Sequence, residues 1–190
     1  MVEPFYLTTP KGKKIRILSP KDVDAMVAAI RKPYLRTIFD TALYSGMRYI
    51  EVQRLWNHQG WWLKERNALH LPREASLKPM RQFKERYIPI NPQLLAALPY
   101  FFENPPPPVP QVWWDDLKRF ARDAGVGTDG ISPKTTRATI ESWLYVAGFE
   151  TGWICLRQGH TELTSLNHYR GIPWTDDEKE EIKKRLAGWR

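Results

Sequence analysis

Two arginines far apart in the chain have surroundings that suit phosphate binding. Arg48 lies two residues after Gly46, and Arg137 lies three residues after Lys134. The planar guanidinium can bond two phosphate oxygens at once and stays charged at ordinary pH. Two such groups could hold both non-bridging oxygens of a phosphodiester, with their largest effect in the transition state of a phosphoryl transfer. The alternative for Arg48 is an ordinary helix-start arginine with a salt bridge to the residue three positions on, and the alternative for Arg137 is a solvated Lys/Arg face.

A tyrosine near the C-terminal end could supply a nucleophile for such a transfer. Tyr169 lies nine residues after His160, which follows a glycine. A phenol with a pKa of about 10 is a weak nucleophile at neutral pH. A cluster of Arg48, Arg137 and His160 around it would favour the phenolate and so activate it. A lone histidine is more often structural, and the chemical interpretation of His160 depends on its distance from Tyr169.

Helices must position these side chains. Ser19 precedes Pro20 and an acidic first turn, which is typical of a helix start. A second helix opens at Pro33 and ends at Gly46, so that Arg48 begins a third helix, with Glu51 placed to support an arginine. Another helix over residues 134–147 places Lys134 and Arg137 one turn apart on one face.

The middle of the chain changes character. Residues 61–63, 68–72 and 86–90 predict three short strands, and a basic turn over residues 77–84 separates the last two. The Pro-rich run 104–110 favours polyproline II. Helices are predicted before and after it, over residues 94–102, 112–124, 151–156, 161–169 and 176–186. The expected fold class is mainly α with a small three-stranded antiparallel β-sheet (α+β).

The composition favours a polyanionic partner. The chain has 190 residues, with 29 Lys and Arg against 21 Asp and Glu, and a net charge of +8. Such a charge is typical of nucleic-acid binding, although many basic proteins bind nothing. The one cysteine, Cys155, lies in an apolar run and is expected to be buried. No segment has the length of a membrane span, so a soluble, cytoplasmic protein is expected.

These segments, taken in order, resemble a known family. Residues 41–55 resemble the T-G-L-R-x-x-E segment of tyrosine recombinases, the phage-integrase family, and residues 132–140 resemble its H-x-L-R segment. The Gly159-His160 pair and Tyr169 follow at the family's spacing. The resemblance covers residues 17–190 and implies the tyrosine-recombinase catalytic-domain fold. Residues 1–16 are then expected to form an extended basic arm. The family's N-terminal core-binding domain is expected to be absent, so that the chain is either a catalytic-domain fragment or a shortened form.

The resemblance also implies roles. Tyr169 would attack the DNA backbone to give a 3′-phosphotyrosine and a free 5′-hydroxyl, and the reverse attack would reseal the strand. Arg48, Arg137, Lys134 and His160 would contact the scissile phosphate. No metal and no cofactor are expected.

Lysines are the candidates at two positions of the predicted site. Lys134 stands where most family members have histidine and matches the K-x-x-R form of archaeal fusellovirus-like integrases. A lysine donates to phosphate but is a poor general base at ordinary pH. The family's general acid is a lysine of the basic β-turn. Lys78 is favoured for this role over Lys84, and either could instead serve only as a phosphate contact.

The predicted function is that of a site-specific DNA recombinase, or integrase, of an archaeal virus or plasmid. Its partner would be double-stranded DNA, on which it would self-assemble as a tetrameric synapse, with no membrane and no small-molecule substrate. A type IB topoisomerase-like enzyme and a catalytically inactive DNA-binding relative are the alternatives. Relaxation of supercoils without site preference would favour the first. Salt-sensitive DNA binding without a covalent adduct would favour the second.

Overall fold

A computed structural model describes residues 4–9, 12–75, 85–159 and 172–189. Helices form most of this part of the chain, and small antiparallel sheets lie at two places. None of the described helices is long and apolar enough to cross a membrane. The helices are α1 (Pro20–Ala29), α2 (Pro33–Ser45), α3 (Tyr49–Asn57), α4 (Pro92–Glu103), α5 (Pro110–Asp123), α6 (Thr135–Val146), α7 (Thr151–Gln158) and α8 (Asp176–Arg185).

The predicted three-stranded sheet is confirmed. Strands β3 (Trp62–Leu63), β4 (Ala68–Leu71) and β5 (Arg86–Pro89) pair antiparallel in that order. In the β4–β5 pair Leu69 lies opposite Ile88, and both side chains are buried. Alternation along β5 therefore sends Arg86 to the same buried face as Ile88.

The N-terminal segment forms a hairpin that the sequence does not predict. Strands β1 (Phe5–Thr8) and β2 (Lys14–Ile17) pair antiparallel. The Arg16 amide donates to the Gly130 carbonyl at 2.9 Å, so this part of the expected arm, residues 1–16, is attached to the rest of the fold. The strands are too short for a clear period-2 pattern, and tertiary contacts decide their conformation.

The predicted helix signals are confirmed at α1 and α2. The Ser19 hydroxyl accepts from the Asp22 amide, and the Asp22 carboxylate accepts from the Ser19 amide, both at 3.1 Å. Helix α2 ends at Gly46, which has a left-handed backbone with φ of 67°. This left-handed residue caps α2, and Arg48 follows two residues later at the start of α3.

Helix α2 packs against α4 and α6, and β2 packs on α6. Trp143 is fully buried on α6, and its indole N–H donates to the Leu18 carbonyl at 3.1 Å. Trp113 is also fully buried and stacks on Tyr49 with 5.3 Å between ring centroids. Cys155 is buried, as predicted. The start of α3 and the start of α6, which carry the two candidate arginines, both rest on this core.

Candidate active site

Arg48 is held by an acidic residue one turn further along its own helix. It occupies the N-cap position of α3. Its backbone amide donates to one carboxylate oxygen of Glu51 at 2.7 Å, and its Nη1 donates to the other at 3.0 Å. Glu51 is fully buried, whereas the Arg48 side chain is 39% exposed. Glu51 therefore orients the Arg48 guanidinium from the protein interior, while the Arg48 side chain stays accessible from the solvent side.

Arg137 lies in the first turn of α6 and is held by two backbone carbonyls. Its Nη1 donates to the Gly46 carbonyl at 2.8 Å, and its Nη2 donates to the Gln158 carbonyl. These contacts join the end of α2 and the end of α7 to the start of α6. Lys134, one turn earlier, is exposed.

Arg48, Lys134 and Arg137 line one cleft. The cleft has a volume of about 320 Å³, and its remaining walls are largely apolar. These walls come from Leu7, Ile15, Tyr49, Ile50, Pro133 and Ala138. Cationic groups from segments almost ninety residues apart therefore face the same space.

The other predicted site residues, Lys78, His160 and Tyr169, lie outside the described residues, as does Lys84. Helix α7 ends at Gln158, immediately before Gly159 and His160 in the sequence. The predicted roles of these residues remain predictions.

A buried arginine that sequence reasoning missed supports the site from beneath. Arg86 is 5% exposed. Its Nη1 and Nη2 donate to the two carboxylate oxygens of Glu51 at 3.2 and 2.7 Å, and its Nε donates to the Arg157 carbonyl at 3.0 Å. The detectable signal was the alternation of β5, which puts an arginine on an apolar face and so requires a buried partner.

A second missed arginine lies on α7. Arg157 is 2% exposed, and its Nη2 donates to the Tyr44 carbonyl at 2.6 Å. Its Nε and Nη1 are buried without a hydrogen-bond partner among the described residues. The indole rings of Trp153 and Trp189 lie 6.0 and 5.4 Å from its guanidinium carbon. Its position in the apolar run of α7 was the available signal.

The electrostatics of this cluster favour anions. Burial alone would raise the pKa of Glu51, but the adjacent Arg86 guanidinium, with help from Arg137 and Arg48, holds it below its ordinary value. Burial lowers the pKa of Arg137, and the nearby charge of Arg48 lowers it further, to about 10. Arg137 thus stays protonated at neutral pH, and another positive charge beside it is unfavourable.

This arrangement can bind a phosphate group. An anion entering the cleft would meet Arg48 and Arg137 with their orientations already set, and it would relieve the repulsion between them. Within the described ranges, no group of three or more His, Cys, Asp or Glu side chains is placed to hold a metal ion.

The fold is similar to those of two proteins of known structure. Neither a family model nor a curated protein sequence matches the chain. The structure is similar to XerA recombinase, with a TM-score of 0.63 and 15% identity over 90% of this chain and 65% of that one. It is also similar to the Tn1549 transposon integrase in complex with circular intermediate DNA, with a TM-score of 0.69, 17% identity, and coverage of 90% and 67%.

The same integrase in complex with transposon right-end DNA gives a TM-score of 0.67 at 16% identity. The chain therefore has the tyrosine-recombinase catalytic-domain fold, as predicted, and it spans 65% of the length of the XerA structure.

Proposed function

We propose that this chain cleaves and rejoins DNA strands as a site-specific recombinase, through a 3′-phosphotyrosine on Tyr169. The observation that carries the proposal is the convergence of Arg48, Lys134 and Arg137 on one cleft. The fold supports it, because a similar fold occurs in an integrase in complex with DNA.

In the proposed reaction the two arginines act on the phosphate. Arg48 and Arg137 bond its non-bridging oxygens and neutralise the charge that grows in the pentavalent transition state. Lys134 adds a third positive charge at the exposed rim. As a lysine it donates to phosphate, and we assign it no general-base role.

The covalent step conserves a phosphate ester. Tyr169 loses its phenolic proton to solvent, its oxygen attacks phosphorus, a P–O bond to Tyr169 forms, and the P–O5′ bond breaks. The 5′-oxygen takes a proton from a lysine of the basic turn, with Lys78 favoured over Lys84, while His160 contacts the phosphate or the nucleophile. Attack by a 5′-hydroxyl on the phosphotyrosine reverses the step and reseals the strand.

The finer features of the proposal come from the sequence resemblance. They are a double-stranded DNA substrate, assembly on DNA as a tetrameric synapse, and a role in integrating or excising a mobile element of archaeal viral or plasmid type. The positive net charge of +8 supports the DNA partner.

A nicked suicide duplex tests the proposal. Cleavage near the nick releases a short 5′-hydroxyl fragment, so the covalent adduct accumulates and migrates slowly in a denaturing gel. We expect an adduct with the unmodified chain and none with Tyr169→Phe. Tyr87→Phe, which alters an exposed tyrosine on β5, is the matched control and should form the adduct normally. DNA binding without any adduct would contradict the proposal.

A further inference from the structure

Arg86 joins two parts of the candidate site that are distant in sequence. It begins β5, yet all three of its guanidinium nitrogens donate hydrogen bonds outside the sheet. Nη1 and Nη2 bond Glu51 on α3, and Nε bonds the Arg157 carbonyl on α7. Because the guanidinium is planar, these bonds fix the carboxylate and the carbonyl relative to each other.

On the α3 side, Arg86 and Arg48 share one carboxylate. One oxygen of Glu51 accepts from Arg48 Nη1 at 3.0 Å and from Arg86 Nη1 at 3.2 Å. The other oxygen accepts from the Arg48 amide and from Arg86 Nη2, both at 2.7 Å. A rotation of the Glu51 carboxylate would therefore move the Arg48 guanidinium. Arg86 restrains that rotation.

On the α7 side, Arg86 fixes the backbone just before His160. It bonds the carbonyl of Arg157, and the next carbonyl, that of Gln158, accepts from Arg137. Gly159 then adopts a left-handed backbone with φ of 67°, and a Cβ there would lie 3.1 Å from the Arg86 side chain. The end of α7 is thus packed against Arg86.

We propose that Arg86 is a positioning residue for the phosphate-binding arginines. It sets the orientation of Arg48 through Glu51, and it sets the α7 carbonyl end that also holds Arg137. At 5% exposure it is shielded from DNA and would act through these neighbours. This inference rests on the proposed function, because it concerns the rate of the same strand cleavage.

The competing explanation is that Arg86 only contributes to stability. The chain offers a matched control for that case. Arg16 is 7% exposed and forms an ion pair with Asp22 at 3.4 Å, and it is not among the residues that line the cleft. Arg16→Met therefore removes an arginine of similar burial, paired with an aspartate that is 24% exposed, without changing the supports of Arg48.

The experiment compares the single-turnover rate of adduct formation on the suicide duplex with the affinity for the same DNA. Arg86→Met and Arg16→Met are measured at a temperature at which circular dichroism shows both folded. We expect Arg86→Met to slow adduct formation by about 100-fold, the effect of a small misplacement of catalytic groups. DNA affinity should change by less than about threefold, since other phosphate contacts supply most of the binding. Arg16→Met should cleave at the rate of the unmodified chain.

A double-mutant cycle separates positioning from stability. If Arg86 acts through Arg48, adding Arg86→Met to Arg48→Lys should slow cleavage by much less than Arg86→Met does alone. Rate effects that multiply would overturn the action through Glu51 and Arg48, and a folded Arg86→Met that cleaves normally would overturn the whole inference. If Arg86→Met does not fold, Arg86→Lys takes its place, because it keeps the charge but not the two-pronged geometry. We expect Arg86→Lys to cleave at least about tenfold more slowly than the unmodified chain, and a normal rate would overturn the inference. Absence of an adduct with the unmodified chain would instead contradict the proposed function.

Discussion

Two carboxylates on successive helices have pKa values shifted in opposite directions. Glu51 on α3 is fully buried, and Asp40 on α2 has a side chain that is 23% exposed. Burial acts to raise the pKa of both. Around Glu51 the arginines outweigh it and hold the pKa below the ordinary value, whereas Asp40 faces the single exposed Arg36 and its pKa rises to about 6.

The difference shows how this fold distributes its cations. A fully buried carboxylate needs compensating cations to stay ionised, and beneath the cleft Arg86, Arg137 and Arg48 provide them for Glu51. Glu51 thus holds arginines close together that would otherwise repel one another. Asp40 has no such task. Four substitutions would test this contrast between Glu51 and Asp40.

Glu51→Gln should remove the carboxylate with little change in shape. Arg86 and Arg48 would then be buried or half-buried beside a neutral amide, which is expected to lower the free energy of unfolding by about 3–5 kcal/mol. Urea unfolding at pH 7 measures the change. Because the pKa of Glu51 is lowered in the folded state, its contribution is present above the ordinary value of 4.5 and is lost as pH falls through the folded value. The difference in free energy of unfolding between Glu51→Gln and the unmodified chain should therefore shrink in acid. A difference that stays constant would contradict the assigned role of the Glu51 carboxylate.

Gly46→Ala should disturb the turn that connects the helices of the two carboxylates. Gly46 has φ of +67°, and a Cβ there would lie 2.6 Å from Gln158 Nε2 and 2.9 Å from Arg157 Nη1. We expect a loss of about 2–3 kcal/mol from the left-handed backbone and the clash together. Gly125→Ala is the control, because its φ is +70° but no heavy atom lies within 4 Å of its Cβ. Its loss should be about 1 kcal/mol, and equal losses would exclude the clash.

Asp40→Asn should stabilise the protein at neutral pH. The pKa of Asp40 in the folded state, about 6, is above its ordinary value of 3.8, so ionisation disfavours folding as pH rises through that interval. We expect a gain of about 1–2 kcal/mol at pH 7 that disappears near pH 4. Thermal unfolding at the two pH values measures it. A destabilised variant at pH 7 would show that the ion pair with Arg36 outweighs burial.

Arg36→Met should have the smallest effect. The Arg36 side chain is 58% exposed and lies 3.6 Å from Asp40. Such a pair contributes about 0.5 kcal/mol or less in many proteins. Because Arg36 lowers the pKa of Asp40, its removal should raise that pKa further. NMR titration of the Asp40 carboxyl would detect the shift, and a decrease in its pKa would contradict the assignment.

Much of the fold could be predicted because its signals are local. The Ser19 cap, the left-handed Gly46 and the alternation of the three central strands identify elements without reference to the rest of the chain. The β1–β2 hairpin could not be predicted, since its short strands depend on contacts with residues more than a hundred positions away, such as Gly130.

The candidate site divides in the same way. Arg48, Lys134 and Arg137 follow local motifs, and all three line the cleft. Glu51 was expected to support an arginine, and it bonds both Arg48 and Arg86. Arg86 was missed because its partners are far away in sequence. The roles of Lys78, His160 and Tyr169 stay predictions.

Backbone carbonyls accept several of the hydrogen bonds made by Arg86, Arg137 and Arg157, and this has an evolutionary consequence. Tyr44, Gly46, Arg157 and Gln158 each offer a carbonyl oxygen to a guanidinium. Every amino acid has that atom, so these hydrogen bonds do not depend on which side chain the accepting residue carries. Where no other constraint fixes that side chain, as the left-handed backbone does at Gly46, the accepting residue could change while the arginine contact persisted. Pairwise covariation would miss these contacts, and recognisable sequence kinship could fade well before the architecture did.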